Sequence, residues 1–359
     1  MASRPRIGLV GPDRTQPCGV ADYTGRLAAA LAAECELQFV PFRSALASPE
    51  LSGCRAILVQ YERSLVPSDD FMQRLGARHR GKVYVVPHEV YREDPFAFPY
   101  SELRSRFPPL LWLKRLAYHW RHRGYAKEKR LQAMAYGARA VIPLSGPGAE
   151  ILLSAAPGKI LAPVPHAVYA PPTDGAAPSR SELFLAGTRA VIGIFGFLNP
   201  GLDYGTAFDL LAGLDAGVGL LLLGGNREGD GMQARLRAEA EARGLASRVH
   251  ITGWIAPQDV GAHLRLCDIF LCPMRFKSNS GAMLHLFGLG KPILAADLPL
   301  TRWLLSQGAP IDLYGDGREM RSKVSAYLAG ASLPPVNGYR WDFPAAAKAY
   351  LRAMGASDQ

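Results

Sequence analysis

The chain has 359 residues, a length typical of two domains of ordinary size. Hydrophobic residues make up 48% of it, which suffices for two cores, and no run of about 18 apolar residues predicts a transmembrane helix. The first six residues lack the apolar region of a signal peptide, so we expect a cytoplasmic protein. The five cysteines have no metal-ligand spacing and are interpreted as reduced thiols, mostly in the core.

Most of the excess positive charge lies in one stretch. Between Glu102 and Arg130, nine Lys or Arg residues stand against two Glu residues, while the net charge of the whole chain is +10. We call residues 104–130 the basic segment. It also contains an apolar stripe at helical spacing, typical of a helix that rests on an anionic membrane or of one that packs on the first domain. Nucleic acid is a third partner, which we do not expect without a helix-turn-helix or aromatic–basic sheet pattern. The stripe consists of Leu110, Leu113, Ala117 and Trp120.

The first half of the chain alternates short apolar runs with helical patterns. This alternation is typical of a parallel sheet with helices on both faces. The predicted helices are Tyr23–Ala33 and Gly148–Leu153. The predicted strands are Arg6–Val10, Leu37–Val40, Ala56–Gln60, Lys82–Val86 and Ala140–Pro143.

A Pro-, Gly- and Ala-rich stretch without periodicity, residues 170–178, predicts a linker to a second half with the same rhythm. We therefore expect one domain over residues 1–172 and another over 173–340, with a final helix near 341–355 that packs back on the first domain. The second half has predicted strands at Ala190–Phe195, Val218–Leu223, Val249–Thr252 and Asp268–Leu271, and predicted helices at Thr206–Leu214, Gly231–Arg243 and Asp259–Leu266.

The most informative turn follows the strand Asp268–Leu271. In parallel sheets, ligands bind at the carboxyl ends of the strands, and with two such domains we expect the ligand in a cleft between them. The turn carries Arg275 and Lys277 into a predicted helix, which ends at Gly290-Lys291-Pro292. The free first amides of such a helix form an anion site. The turn therefore predicts a phosphate-bearing ligand; two solvated loop charges are the alternative. The small residues at the helix start are Ser278, Asn279, Ser280, Gly281 and Ala282.

Three places in the chain resemble the GT-B glycosyltransferases, specifically retaining family 4. Residues 11–23 resemble the glycine loop after that family's first strand, and residues 195–200 resemble the opening of its second domain. Residues 252–255, 268–273 and 289–293 resemble its donor-binding half. The resemblance implies two Rossmann-like domains that face each other across a cleft. It also implies transfer of a sugar from a nucleotide-diphosphate sugar without a metal ion or another cofactor.

Two features of that family are replaced in this sequence. The family has two glutamates eight residues apart, and the matching positions hold Lys277 and His285. It also has an Arg and a Lys that clamp the donor diphosphate, and these correspond to Phe197 and to Leu202 or Asp203. The replacements keep a second hypothesis open, a GT-B protein that binds a sugar, a nucleotide or a partner without catalysis.

The resemblance also implies roles for single residues. His88 matches a histidine beside the transferred sugar; the alternative is a histidine that anchors its loop. Arg275, Lys277 and Arg14 are the nearest substitutes for the lost cations, and we predict His88 and Lys277 as catalytic. His285, one to two turns inside the predicted helix, occupies the position of the ribose-binding glutamate; the alternative is a half-buried helix histidine. Trp254 stacks on the base or fills the core. The predicted donor-binding residues besides the turn 278–282 are Gly19, Gly196, Phe197, Gly225, Trp254, Ile255, Arg275 and His285.

The expected function is that of a retaining glycosyltransferase in the cytoplasm, peripheral on the inner membrane face. Its expected partners are a nucleotide sugar and a polysaccharide precursor, lipid-linked acceptor or other glycan. We predict no metal, because no ligand spacing is present. No carboxylate pair supports a double displacement, so the resemblance implies a front-face transfer.

Overall fold

The computed structural model divides the chain into two compact units. The first contains Met1–Ala167 and Trp341–Gln359, and the second contains Val168–Arg340. Each is built on its own parallel sheet with helices, so both units are Rossmann-like, as the sequence predicts. The structure describes residues 4–13, 18–90, 125–170, 179–183, 188–225, 231–275, 277–332 and 338–356.

The sheet of the first unit has five parallel strands in the order β2-β1-β3-β4-β5. The central strands are almost continuously apolar and buried, because a parallel sheet is covered on both faces. The edge strand β2 is less buried: Glu36 is exposed, Val40 is buried and its other residues are half-buried. The strands are β1 Arg6–Gly11, β2 Glu36–Pro41, β3 Ala56–Tyr61, β4 Val83–Pro87 and β5 Ala140–Val141.

Between Cys18 and Ala167, the described residues of this unit form five helices. The longest of them begins at Gly19, four residues before its predicted start at Tyr23, and follows the loop after β1. Cys18 stands at its N-cap without a side-chain hydrogen bond. The helices are α1 Gly19–Glu34, α2 Phe42–Ala45, α3 Phe71–Arg78, α4 Tyr125–Tyr136 and α5 Gly146–Ala155, and a 3-10 turn spans Glu50–Gly53.

The C-terminal helix, Phe343–Ala353, packs on α1 in the first unit. Asp342 caps it by accepting a hydrogen bond from the amide of Ala345 (2.7 Å). Its buried face carries alanines and Tyr350, whose hydroxyl lies 3.1 Å from the hydroxyl of Tyr23 on α1. The final residues of the chain thus complete the core of the unit formed by its first residues.

The second unit has six parallel strands in the order β11-β10-β9-β6-β7-β8. Side chains alternate across the sheet: Leu220 and Leu222 join one core cluster, and Leu221 and Leu223 join the other. β6 and β7 occupy their predicted residues. The strands are β6 Ala190–Phe195, β7 Val218–Leu223, β8 Val249–Ile251, β9 Ile269–Cys272, β10 Ile293–Ala296 and β11 Asp312–Tyr314.

Seven described helices cover the two faces of this second sheet. Asp203 and Asp316 cap two of them by accepting hydrogen bonds from amides of the first helical turn. Two 3-10 turns, Ala246–Arg248 and Phe287–Leu289, lie between them. The helices are α6 Arg180–Leu183, α7 Tyr204–Ala212, α8 Met232–Ala242, α9 Val260–Arg265, α10 Gly281–Leu284, α11 Pro299–Ser306 and α12 Gly317–Leu328.

The structure describes the cysteines but not the apolar stripe or most of the predicted linker. All five cysteines are free, and three of them are buried, as interpreted from the sequence. Within the described ranges, no helix is both long and apolar enough to cross a membrane. The stripe Leu110–Trp120 of the basic segment and residues 171–178 of the predicted linker lie outside the described residues.

Candidate functional site

The predicted donor-binding residues of the second unit follow the carboxyl ends of neighbouring strands. A Cβ on Gly224, after β7, would lie only 2.1 Å from the carbonyl oxygen of Gly196, after β6, so these turns touch. Gly224 has φ +143°, a conformation that only glycine adopts readily. The amide of Leu198 donates to the carbonyl of Gly225 (3.0 Å), and Gly224 bridges to Gly253 after β8. The fold therefore brings Gly196 and Gly225 together.

The start of α10 lies against the same turns. A Cβ on Gly196 would lie 2.9 Å from the Cβ of Ala282, which makes these two predicted residues neighbours. Ser280 caps the helix by accepting a hydrogen bond from the amide of Met283 (3.4 Å). The helix spans only Gly281–Leu284, which corrects the prediction of a longer helix and gives it a small dipole.

Arg275 is held by an aspartate. Its guanidinium lies 3.3 Å from Asp203, one of the two positions that match a clamp cation of the resembled family. Its amide donates to the carbonyl of Gly201 (3.0 Å), so the loop backbone is also fixed. Burial raises the pKa of Asp203, but hydrogen bonds from Thr206 and the charge of Arg275 outweigh this and leave the pKa below its usual range. The positive charge of Arg275 is therefore partly neutralised at this turn.

Lys277 carries the remaining positive charge of the turn. It is half-buried and forms no ion pair with any residue that the structure describes. Ser278 is buried, whereas Asn279 and Ser280 are half-buried. The side chain of Lys277 is therefore better placed than that of Ser278 to meet a ligand from solution.

An exposed aromatic pair stands at the ends of β6 and β8. The rings of Phe197 and Trp254 lie 5.8 Å apart between centroids, and 42% and 52% of the two residues are exposed. Trp254 therefore does not fill the core, which excludes that alternative. Ile255 is buried among Leu223 and Met274, so only its backbone can face a ligand.

His285 packs between two aromatic rings. It follows the last residue of α10 rather than lying one or two turns inside a helix, which corrects the prediction. Its ring stacks on Tyr169 at 3.7 Å with an interplanar angle of 7°, and it meets the ring of Phe195 edge-on at 5.5 Å. One face of the imidazole is thus covered by Tyr169 within the second unit.

In the first unit, the predicted residue Gly19 is the first residue of α1. It is exposed, and a Cβ on it would meet nothing within 4 Å. The N-cap residue Cys18 leaves the amides of the first turn without a side-chain cap. These amides suit an anion, although the carboxylate of Asp22, paired with Arg26 (3.0 Å), lies in the same turn.

His88 lies in a buried cluster that the sequence did not indicate. Its Nε2 is 2.8 Å from Oε1 of Gln60 at the end of β3. The ring of Tyr23 contacts both His88 (5.0 Å between centroids) and His166 (4.4 Å), and the two imidazoles are 6.2 Å apart. Burial, reinforced by His166, lowers the pKa of His88 to about 3. Burial likewise lowers the pKa of His166 to about 4. A sequence signal that could have indicated this buried cluster is Gln60, an amide inside an otherwise apolar strand.

Comparisons with known proteins bear on the second unit and on the fold. Residues 206–328 match the family model of the group 1 glycosyl transferases. No curated protein sequence matches the chain.

In the described part of the chain, no group of three or more His, Cys, Asp or Glu residues could hold a metal ion.

Several solved structures are similar over nearly the whole chain. HepE from Anabaena, in complex with UDP-glucose, has a TM-score of 0.66 at 14% identity and covers 98% of this chain and 99% of its own. Sucrose-phosphate synthase from Thermosynechococcus elongatus has a TM-score of 0.65 at 15% identity, covering 99% and 100%. The lipopolysaccharide outer core galactosyltransferase WaaB, in its apo form, has a TM-score of 0.62 at 13% identity, covering 98% and 99%. The chain therefore has the GT-B fold, and its second unit matches the group 1 glycosyl transferase family.

Proposed function

We propose that the protein is a glycosyltransferase that moves a sugar from a nucleotide-diphosphate sugar to a glycan or lipid-linked acceptor. The observation that carries this proposal is the packing of the glycine turns after β6, β7 and β8 around the start of α10, next to Lys277. Close backbone approach and an unneutralised cation are what a diphosphate ester needs at its binding site. The family match of residues 206–328 covers most of these turns.

The donor half of the reaction falls to the second unit. The phosphates bind to Lys277 and to the backbone amides at Ser280–Ala282, and the exposed pair Phe197 and Trp254 offers ring faces to the base. Negative charge grows on the leaving diphosphate as the glycosidic bond breaks, and Lys277 stabilises it. Because HepE was solved with UDP-glucose, UDP sugars are the first donors to test.

His88 and Gly19 in the first unit contribute the remaining roles. His88 hydrogen-bonds a hydroxyl of the transferred sugar or of the acceptor, and the first turn of α1 at Gly19 assists the diphosphate. The transfer retains the anomeric configuration by a front-face process, in which the leaving phosphate takes the proton of the acceptor. No metal ion takes part in this scheme.

Purified protein should hydrolyse or transfer the sugar of at least one of a panel of UDP, GDP and ADP sugars, without loss on addition of EDTA. The anomer of the product, read by NMR, tests retention. Lys277→Gln should lower kcat by about 100-fold, as expected for loss of one transition-state charge contact. Lys291→Gln is the matched control, because Lys291 precedes β10 at the opposite end of the sheet. Absence of binding to every donor would contradict the proposal.

A second candidate function is binding without catalysis. The ion pair between Arg275 and Asp203 favours it, because an acidic side chain stands where the resembled family has a cation. In that case a nucleoside diphosphate binds, but neither hydrolysis nor transfer occurs with any acceptor. A Lys277→Gln variant that keeps full biological function would also support this candidate over the enzyme.

We extend the proposal to the inner face of a membrane through the basic segment, on sequence grounds alone. Nine basic residues and an apolar stripe suit an anionic surface. The protein should sediment with vesicles of anionic phospholipid but not with neutral ones, and the binding should weaken as salt rises. Replacing Lys114, Arg115 and Arg121 by Gln should release it; unchanged sedimentation would refute this extension.

A further inference from the structure

Gln60 and His88 are placed together by the register of two strands. Gln60 pairs with Val86 in the β3–β4 ladder, and the amide of His88 donates to the carbonyl of Tyr61 (2.9 Å), which extends the ladder beyond β4. Because Val86 and His88 are two residues apart on an extended chain, His88 faces the same side of the sheet as Gln60. Gln60 is 0% exposed and His88 is 6% exposed. Both side chains are therefore fixed by the fold.

The contact between the two side chains sets the protonation of the imidazole. Oε1 of Gln60 lies 2.8 Å from Nε2 of His88, and a carbonyl oxygen can only accept a hydrogen bond. With the amide oxygen of Gln60 facing the ring, Nε2 carries the proton and Nδ1 keeps a lone pair. Among the residues that the structure describes, none hydrogen-bonds Nδ1. This leaves Nδ1 available to a hydroxyl group of a ligand.

The surroundings of His88 oppose a positive charge. Among the described residues, its ring and hydrogen-bond contacts are the phenol ring of Tyr23, the imidazole of His166 and the neutral amide of Gln60. The hydroxyl of Tyr23 is engaged by that of Tyr350. His88 forms no ion pair with any described residue. A carboxylate in the place of Gln60 would favour the imidazolium, whereas an amide does not.

We propose that Gln60 is a positioning residue that holds His88 in one neutral tautomer, with Nε2–H donated to Gln60 and Nδ1 directed to accept a hydrogen bond from a sugar hydroxyl. The assignment rests on the proposed glycosyltransferase function only for the identity of the hydroxyl. His88 then acts through hydrogen bonding and not as a charged acid. This predicts that His88 contributes no ionisation to the pH profile of the reaction above about pH 5.

Nitrogen NMR of the histidine side chains tests the tautomer without any assay of activity. The unaltered protein should show His88 as the Nε2-protonated neutral form from pH 5 to pH 8. In Gln60→Glu, the introduced carboxylate should raise the pKa of His88 by about one to three pH units. His79 is the internal control, because it is a buried histidine of the same unit with no contact to Gln60. Its signals should be the same in both proteins.

Three results would overturn the inference. One is protonation of Nδ1 in the unaltered protein, which needs no variant to fold. Another is titration of His88 near pH 6.5 in that protein. The third is a set of His88 nitrogen shifts that stays unchanged in both Gln60→Glu and Gln60→Met, while the His79 signals show that the variants are folded.

Kinetics give an independent readout. Gln60→Met keeps the length of the side chain but removes the acceptor, and it should lower kcat for sugar transfer about tenfold with little change in KM for the donor. Gln60→Glu should add an ionisation to the kcat profile that the unaltered enzyme lacks. If no donor is turned over at all, the proposed function fails while the NMR result still decides the role of Gln60. If transfer occurs and neither variant changes kcat or its pH profile, Gln60 has no positioning role.

Discussion

His88 and His166 lie side by side in the interior of the first unit, with pKa values of about 3 and about 4. The unfolded chain takes up a proton at each histidine below about pH 6.5, and the folded chain does not until the pH falls much further. Above about pH 6.5 both states carry neutral histidines, and the free energy of unfolding does not depend on them. Below that pH the unfolded chain binds protons first, so the free energy of unfolding falls as the pH falls.

We expect the free energy of unfolding to decrease between pH 7.5 and pH 5, by on the order of 2 kcal/mol for each of these two histidines. Urea unfolding at the two pH values measures it. His79 and His250 contribute in the same direction, since burial also lowers their pKa values. The double variant His88→Gln, His166→Gln should therefore lose less stability on acidification than the unaltered protein. Equal losses would show that the pair is not held neutral.

Asp203 neutralises part of the charge of Arg275 and also caps α7. Asp203→Asn should release Arg275 and strengthen binding of a nucleoside diphosphate by about two- to fivefold, while asparagine keeps the cap. Titration calorimetry with UDP, GDP and ADP measures the effect. Asp316→Asn is the control, because Asp316 caps α12 in the same way without contacting Arg275. Weaker binding of the nucleoside diphosphate by Asp203→Asn would show that the carboxylate of Asp203 contributes to the binding site.

The sequence alone does not predict which residues pair with the side chains of this site. Arg275 and Lys277 were recognisable as cations beside a helix start, but the pairing of Arg275 with Asp203 depends on how two distant loops meet. The stacking of His285 on Tyr169 is equally non-local. Local patterns identify residue chemistry, whereas the partner that modifies this chemistry comes from the tertiary structure.

The glycine turns after β6 and β7 depend on close backbone contact. Gly224→Ala would place a Cβ 2.1 Å from the carbonyl of Gly196 at φ +143°, so we expect a loss of about 3 kcal/mol or more in unfolding free energy. Binding of the nucleoside diphosphate should fall with it. Chemical denaturation and calorimetry measure both quantities.

Gly244→Ala separates backbone strain from the clash. Gly244 also has positive φ (+68°), but a Cβ there would meet nothing within 4 Å. Its replacement should cost only about 1 kcal/mol and leave nucleotide binding unchanged. Similar losses of unfolding free energy in the two variants would mean that the contact between the turns does not contribute to stability.

Elements with strong local signals were predictable. β6 and β7 are apolar runs bounded by turns, and their observed bounds are the predicted ones. β11 was missed, because this short edge strand, Asp312–Tyr314, is defined by pairing with β10 rather than by composition. α12 was missed although Asp316 and Glu319 carry an N-terminal capping signal. α10 was predicted too long, since Gly288 and Gly290 weaken a helix beyond Leu284.

At the scale of the whole molecule, the first unit depends on the C-terminal helix. Tyr350 is fully buried against α1, so Tyr350→Ala should lower the stability of that unit by about 3–5 kcal/mol. Hydrogen exchange should speed up in β1, β3 and β4 while β6 and β7 stay protected. Tyr350→Phe removes the hydroxyl that contacts Tyr23 but keeps the ring, and it should cost about 1 kcal/mol. Equal deprotection of both sheets would mean that the units unfold together.

The Rossmann-like class of both units was visible in the alternation of strands and helices, because that rhythm is local. A final helix near residues 341–355 was predicted to pack back on the first domain, but the contacts that hold it come from the folded chain. The hydroxyl of Tyr84, for instance, donates to the carbonyl of Met354 (3.3 Å). Sequence periodicity predicts such a helix but not the residues that it contacts.

The interruption of the first unit by residues 168–340 has a consequence for biosynthesis. The second unit is continuous, so all of its strands are synthesised before the C-terminal helix. Until the helix Phe343–Ala353 emerges, the side of α1 that it covers stays exposed. The unit whose strands are synthesised earlier is therefore the later of the two to complete its core, and it exposes apolar surface of α1 for longer.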